Sequence, residues 1–405
     1  MTLWLIEPQD PLLVRDGRPF NATPGARARS LAFPFPSTTA GAARTRAGET
    51  DGRFDPDAIN DVLGMAVSGP LLVEVGDGGL SFFAPAPADA LLFDRQNDEN
   101  LDRQRLAPLA RPAGAQTDLD ATHPGWLLVG LPRANANKPS RRAPAFWSWE
   151  HFEAWLMAPQ DGIVTPTDLG SDGPPFDRRM HVGINPATLT GRDGALFMTS
   201  GLTFWHNAAQ PEPTLAGARR LALAVDVAES TARPLAAGYG PMGGERRLMH
   251  WRPAADALPD APTGLPDAPA DLAERIAANN GHCRVVLLTP AHFDAGHAPR
   301  WLTEARAGVT ATVLAAAVGK PATVSGWDLA AGAAGRPRPS RRLAPAGSVF
   351  YLKLSGGDVA GWLKETWLCP MSDNAADRAA GFGLAAVGVW SGAAEMMEIE
   401  EATHA

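Results

Sequence analysis

Phe33-Pro34-Phe35-Pro36-Ser37-Thr38-Thr39-Ala40-Gly41-Ala42-Ala43-Arg44 is the stretch that decides how this chain begins to fold. Pro34 and Pro36 hold the approach extended, because the residue before a proline is pushed out of the α region. Ser37, Thr38 and Thr39 can then cap a helix, each side-chain oxygen being able to accept from a first-turn N–H. The residues from Ala40 to Arg46 are mostly small and, apart from Gly41, helix-compatible. Upstream lies the basic, glycine-containing run Asp16-Gly17-Arg18-Pro19-Phe20, followed by Arg27 and Arg29, while Arg44 and Arg46 lie one to two turns into the helix. A helix N-terminus with free N–H groups and nearby guanidiniums predicts a phosphate site. The alternative is a capped surface helix that binds nothing.

Working outward, 405 residues exceed one ordinary core and suit two domains. A chain 45% hydrophobic and 20% charged is globular rather than disordered. Its 37 prolines and 41 glycines demand many turns and exclude a helical bundle. Runs of about 18 apolar residues are missing, so no membrane span or membrane partner is expected. The start Met1-Thr2-Leu3-Trp4-Leu5-Ile6-Glu7 does not read as a signal peptide. Cys283 and Cys369 alone cannot make a disulfide framework, and the cytoplasm is the expected compartment. A net charge of −8 argues against indiscriminate nucleic-acid binding but leaves room for a local basic channel. Arginines gather at 15–46, 141–142, 178–179, 246–247 and 336–342, and acids at 94–120, 256–274 and 395–401.

The elements follow from periodicity. Trp4-Leu5-Ile6 opens a strand. Leu71–Val75 and Leu80–Phe83 form a hairpin across Gly76-Asp77-Gly78-Gly79. Residues from about 84 to 177 read as an insertion containing one amphipathic helix, Ser148–Met157. Arg179–Ile184, Ala195–Met198 and Arg220–Val227 are strands, and glycines gather before Glu245-Arg246-Arg247. Residues 254–269, rich in Ala, Pro and Asp, read as a linker. Beyond it come a helix, several strands, the amphipathic helix Asp358–Leu368 and a last strand, Ala385–Trp390. The class is α+β: two ferredoxin-like (RRM-like) domains with long insertions and glycine-rich loops, at 1–253 and 270–405.

Several motifs then recur in a telling order. They include Phe33-Pro34-Phe35-Pro36-Ser37-Thr38, His181-Val182-Gly183-Ile184, Gly243-Gly244-Glu245-Arg246-Arg247, Ser325-Gly326-Trp327-Asp328 and Gly381-Phe382-Gly383. In order and spacing, along nearly its whole length, the chain resembles the Cmr-complex RAMP subunit of type III-B CRISPR effector complexes, which caps the 5′ handle of the guide RNA. The resemblance implies no catalytic activity, no cofactor and no metal. It implies three partners: the crRNA 5′ handle, the large polymerase-like subunit and a backbone RAMP subunit. The wide acidic insertion at 94–120 departs from the family pattern.

RNA phosphates call for backbone N–H donors and guanidiniums, with glycines that let backbone come close. The candidate RNA-binding residues are therefore Arg18, Arg27, Arg29, Ser37, Thr38, Arg44, His181, Gly243, Gly244, Arg246, Arg247, Gly326, Trp327, Gly381 and Gly383. Gly381 and Gly383 suit a tight turn equally well. Trp327 suits either base stacking or a core position. His282, Cys283, His292, Asp294 and His297 match no common zinc spacing. The competing function is a repeat-processing RAMP endoribonuclease cleaving without metal, for which His181 would be the general base.

Overall fold

Because β1 (Thr2–Pro8) is buried on both faces, it lies inside a stack of layers. Side chains alternate along a strand, so Trp4 and Ile6 enter one core while Leu3 and Leu5 enter another. An antiparallel strand apolar on both faces has to be covered twice. On the Trp4 side lies α1 (Pro36–Ala47), which presents Ala40, Ala43 and Ala47 to the sheet. The computed structural model describes residues 1–15, 27–28, 30–76, 78–207, 218–258, 261–328 and 336–397.

After α1 come β2 (Val67–Gly76) and β3 (Gly79–Pro85), joined as the predicted hairpin with Gly76 opposite Gly79. The stretch expected as an insertion contributes α2 (Trp149–Met157). Next are β4 (Phe176–Ile184) and β5 (Gly191–Leu202), a long hairpin, and then β6 (Ala218–Val227). A second hairpin, β7 (Gly238–Met242) and β8 (Arg247–Pro253), completes this half. The sheet runs β3-β2-β6-β1-β8-β7 and is antiparallel throughout.

The second half holds α3 (Leu272–Ala278), β9 (His282–Leu287), β10 (Thr310–Ala317), and the ribbon of β11 (Ala322–Asp328) with β12 (Arg336–Leu343). It ends with β13 (Val349–Ser355), α4 (Val359–Thr366), α5 (Ala375–Ala379) and β14 (Leu384–Val389). Asp358 caps α4 by accepting from the Ala360 N–H at 3.0 Å. The main sheet has the order β10-β13-β9-β14. In chain order that is second, third, first, fourth, the same permutation as β2-β6-β1-β8 in the first half. The fold is mixed α and β with strands predominating.

The two sheets share a core. Leu3, Leu5, Leu71 and Val73 from one meet Val286, Val349, Tyr351 and Ala386 from the other, with Phe152, Trp155 and Leu156 of α2 among them. The outer face of the second sheet packs Val285, Phe350 and Val387 against Ile276 of α3 and Trp362 of α4. Residues 84–177 thus contribute α2 to the core shared by the two sheets. Their acids are met locally: Arg95 pairs with Asp98 and Asp102 at 2.8 and 2.6 Å, Arg142 with Asp94, and Arg111 with Asp120.

The segment binds the second half through a buried ion pair. Asp89 and Arg284, each 1% exposed, are in contact. Asp89 also accepts from Trp155 Nε1 at 2.8 Å, and Arg284 donates to the Trp155 and Val389 carbonyls. Tyr351, whose hydroxyl donates to the Leu106 carbonyl at 3.1 Å, closes the cluster. Among the described residues no helix is long and apolar enough to cross a membrane.

Candidate nucleic-acid interface

Proline chemistry places the start of α1 one residue earlier than the Ser-Thr-Thr run suggests. Pro36 takes the first helical position, where its missing N–H is not needed and its φ is already helical. Phe35 becomes the N-cap in extended backbone, and the helix has no side-chain cap. The expectation that Ser37, Thr38 or Thr39 caps is therefore corrected. Thr39 is buried, its hydroxyl donating to the Pro36 carbonyl at 3.0 Å. Ser37 is exposed and Thr38 half-buried in the first turn.

Those two residues line a cleft of about 210 Å³. Its other walls are Val14 and Arg15, Gly243 and Gly244 of the β7–β8 turn, and Thr323 to Ser325 of β11. Three distant segments that the sequence reading singled out therefore meet at one place. The Gly244 N–H donates to the Leu13 carbonyl at 2.6 Å, which draws the β7–β8 turn onto the cleft. Gly243 has φ +72°, and a Cβ there would lie 2.6 Å from the Leu13 carbonyl oxygen. Close approach to the protein's own backbone thus requires that glycine.

Glu245 and Arg246, at the tip of the same turn, have φ of 58° and 51°. Two successive left-handed residues normally call for Asn or Gly, so this turn is strained. It leaves Arg246 exposed, while Arg247 pairs with Glu245 at 2.8 Å. Gly326 lies exposed on β11 opposite Arg338, and Trp327 takes the next position opposite Pro337.

Several of the expected residues lie elsewhere. Arg44 sits eight residues into α1, about 12 Å from its start at 1.5 Å per residue. Its Nε and Nη2 donate to the Met65 carbonyl at 3.1 and 2.8 Å, and Nη2 also reaches the Ala379 carbonyl of α5 at 2.8 Å. Arg44 thereby clasps the two halves together, and its guanidinium is committed to protein. Burial, and secondarily the nearby Arg338, lowers its pKa from the usual arginine value. Arg46 likewise donates to the Ala236 and Tyr239 carbonyls.

Gly381 and Gly383 are buried, which takes them away from any RNA surface. A Cβ on Gly381 would lie 2.6 Å from both the Val67 and Gly69 carbonyl oxygens, and one on Gly383 would lie 2.7 Å from the Ser372 nitrogen. Both have φ +86°, so both make tight turns in the seam. Phe382 between them is buried at 1% exposure.

His181 belongs to the β4–β5 hairpin, apart from the cleft residues. Its Nε2 is 2.9 Å from Thr199 Oγ1 and its ring stacks on Phe197 at 5.1 Å. Backbone at Arg27 pairs in parallel with Met198 of the same hairpin. Arg18 and Arg29 lie outside the described residues. The histidine and cysteine run disperses: His282 contacts the Asn279 carbonyl, Cys283 is buried in β9, His292 faces Asp377, and His297 packs edge-on against His123.

The family model described as CRISPR-associated protein (Cas_Cmr3) matches residues 4–390. The chain belongs to this family. As a Cas_Cmr3 chain it is a CRISPR-associated Cmr-complex subunit. Two solved chains are similar in structure, each at 15% identity and each with 86% of both chains covered. One comes from the type III-B Cmr-beta complex bound to cognate target RNA and AMPPnP, with a TM-score of 0.42. The other comes from the same kind of complex bound to cognate target RNA, at 0.41. Among curated proteins none matches the sequence.

Two features of this Cas_Cmr3 chain escaped the motif reading. Thr323 joins the cleft although it belongs to no motif, and Ser325 joins it although only its neighbours Gly326 and Trp327 were candidates. Arg341, in the run Arg336-Pro337-Arg338-Pro339-Ser340-Arg341-Arg342, contacts Asp377 and lies 5.4 Å over the Phe382 ring. The arginine alternation was visible in the sequence, but its neighbours were not.

Proposed function

We propose that this subunit binds and caps the 5′ handle of the guide RNA without catalysing a reaction. In the assembled complex it bridges the large polymerase-like subunit to the backbone RAMP subunits. One observation carries the reading: a single cleft gathers Ser37, Thr38, Gly243 and Gly244 from segments some two hundred residues apart. Around it stand Arg246 and Arg247 at the strained turn and Gly326 and Trp327 on β11. First-turn hydroxyls and exposed guanidinium are the groups that hold phosphate and sugar oxygens. Each half, 1–253 and 270–405, is on this reading a ferredoxin-like unit; the strand permutation common to both sheets supports that assignment.

The cleavage alternative draws nothing from His181, whose ring is taken up by Thr199 and Phe197. The deciding experiment is a crosslinking map of a handle-bearing guide RNA in the reconstituted complex. Crosslinks at Ser37, Thr38 and 243–246 are expected. Crosslinks confined to other subunits would reduce this chain to a protein scaffold.

A further inference from the structure

A cavity of about 510 Å³, more than twice the volume of the cleft, takes no part in the handle reading. Its size falls within the range of about 300–1,000 Å³ usual for small-molecule sites. Four segments wall it: residues 119–129 of the insertion, the 296–297 turn, 316–321 at the end of β10, and 342–344 at the end of β12. Backbone holds the insertion in place there. The Leu127 N–H donates to the Leu314 carbonyl at 2.7 Å, and Leu127 bridges Ala315 on β10, the outer strand of the second sheet. Trp126 is thereby set beside that strand as an aromatic wall of the cavity. His123 stacks on its ring at 4.3 Å and 20°, and His297 meets both rings edge-on at 4.6 and 6.0 Å.

The charge of this cavity has one sign. Its lining is mostly aliphatic, and among the described residues Arg342 and His297 are its only ionisable side chains. Arg342 is exposed, and among the described residues its guanidinium has no hydrogen-bond or ion-pair partner, whereas Arg341 beside it is held by Asp377. Two acids close to the lining in sequence are committed elsewhere, Asp120 to Arg111 at 2.5 and 2.7 Å and Asp294 to Arg300 at 2.9 Å. An apolar chamber with a flat aromatic wall and cationic groups suits a ligand that carries a planar ring and an anion together. Guanidinium matches phosphate oxygens, and an aromatic side chain matches the face of a nucleobase.

We propose that this cavity binds a single nucleotide, its base against Trp126 and its phosphate toward Arg342 and His297. The site is separate from the handle-binding cleft and stands or falls without it. A free mononucleotide and one unpaired residue of bound RNA offer the same chemistry, and the test separates them.

The reconstituted complex is photolabelled with 8-azido-AMP in the absence of RNA, with AMP as competitor, and labelled peptides are mapped by mass spectrometry. Labelling within 119–129, 296–297 or 342–344 that AMP displaces is expected of a free-nucleotide site. Arg342→Ala should weaken that displacement about tenfold or more, as a charge-assisted contact is lost. Trp126→Ala should weaken it at least about fivefold, and Trp126→Phe, which keeps a flat ring, should recover most of the loss. A complex crosslinked to guide RNA carrying photoreactive bases supplies the second arm. A crosslink at Trp126 without 8-azido-AMP labelling assigns the site to RNA. Arg342→Ala should then lower the slope of log guide-RNA affinity against log salt by about 0.7, and it should leave that slope unchanged for a free nucleotide. Cavity peptides unlabelled in both arms would overturn the proposal. So would an equal loss in Lys138→Ala, which removes the same charge from an exposed position outside the cavity. Should Trp126→Ala disturb folding, Arg342→Ala decides, because its side chain is exposed.

Discussion

Arginines at the seam between the two halves and arginines around the cleft do opposite work with the same side chain. At the seam, Arg284 is buried and Arg44 half-buried, and each gives its donors to carbonyls or a carboxylate of a distant segment. Around the cleft, Arg246, Arg336, Arg338 and Arg342 stand exposed. Removing a partner from a buried ion pair leaves an uncompensated charge, whereas an exposed ion pair is worth little. The seam arginines should therefore register in stability, and the cleft arginines in binding.

The largest break in that contrast is expected at the buried pair. Arg284→Ala should cost about 3–5 kcal/mol, since Asp89 would stay buried without its partner. Denaturant titration measures the loss, and joint replacement with Arg284→Met and Asp89→Leu should recover much of it. A cost under 1 kcal/mol would mean the pair does not hold the segment to the second half.

Next come the residues moved from the cleft to the seam. Arg44→Ala should destabilise by about 2 kcal/mol by leaving the Met65 and Ala379 carbonyls without their donor. Its RNA salt slope should match the unaltered chain. Gly381→Ala should cost more than about 1 kcal/mol, because neither φ nor space admits a Cβ. RNA affinity falling with stability intact, in either variant, would return these residues to the interface.

Arg246→Gly sharpens the other side of the comparison. Glycine accepts φ 51° freely, so the turn should gain about 1 kcal/mol. The RNA salt slope should nonetheless fall by about 0.7 as one phosphate contact is lost. A gain in stability with unchanged binding would leave the turn strained for some other reason.

The smallest effect concerns pH. Burial, and then the neighbouring His123, lowers the His297 pKa below the ordinary histidine value. Its neutral form is the one the fold favours, so the unfolded chain takes up the proton first as pH falls. Stability from this site should be present above the ordinary histidine pKa of about 6.5. It should be lost as pH drops through that value toward the lowered one. Comparing Tm against pH for the chain and its His297→Gln variant should show the variant flatter. An equal dependence would place the proton elsewhere.

Much of the fold was legible in sequence because local rules and tertiary structure agree there. The Gly76–Gly79 turn, the β6 run, the amphipathic α2 and the Asp358 cap all declare themselves through period and turn chemistry. The cleft was legible only in part. Ser37, Thr38, Gly243 and Gly244 were marked by residue type, yet nothing local says that β11 would close the third wall. The capping expectation failed for a local reason, since Pro36 outweighs the Ser-Thr-Thr run in setting where the helix starts. Arg44 and Gly381 failed for a non-local one, because their partners lie more than twenty residues away or in the other half.

By itself the sequence determined the elements, the family pattern and the types of group available to meet RNA. Periodicity, proline and glycine act over a few residues, so they survive without neighbours. Tertiary structure alone decided which arginines are enclosed and which are presented, since desolvation and partner geometry belong to the packed chain. It also decided that α2, inside residues 84–177, packs in the core shared by the two sheets, because only packing reveals that both faces of β1 need cover.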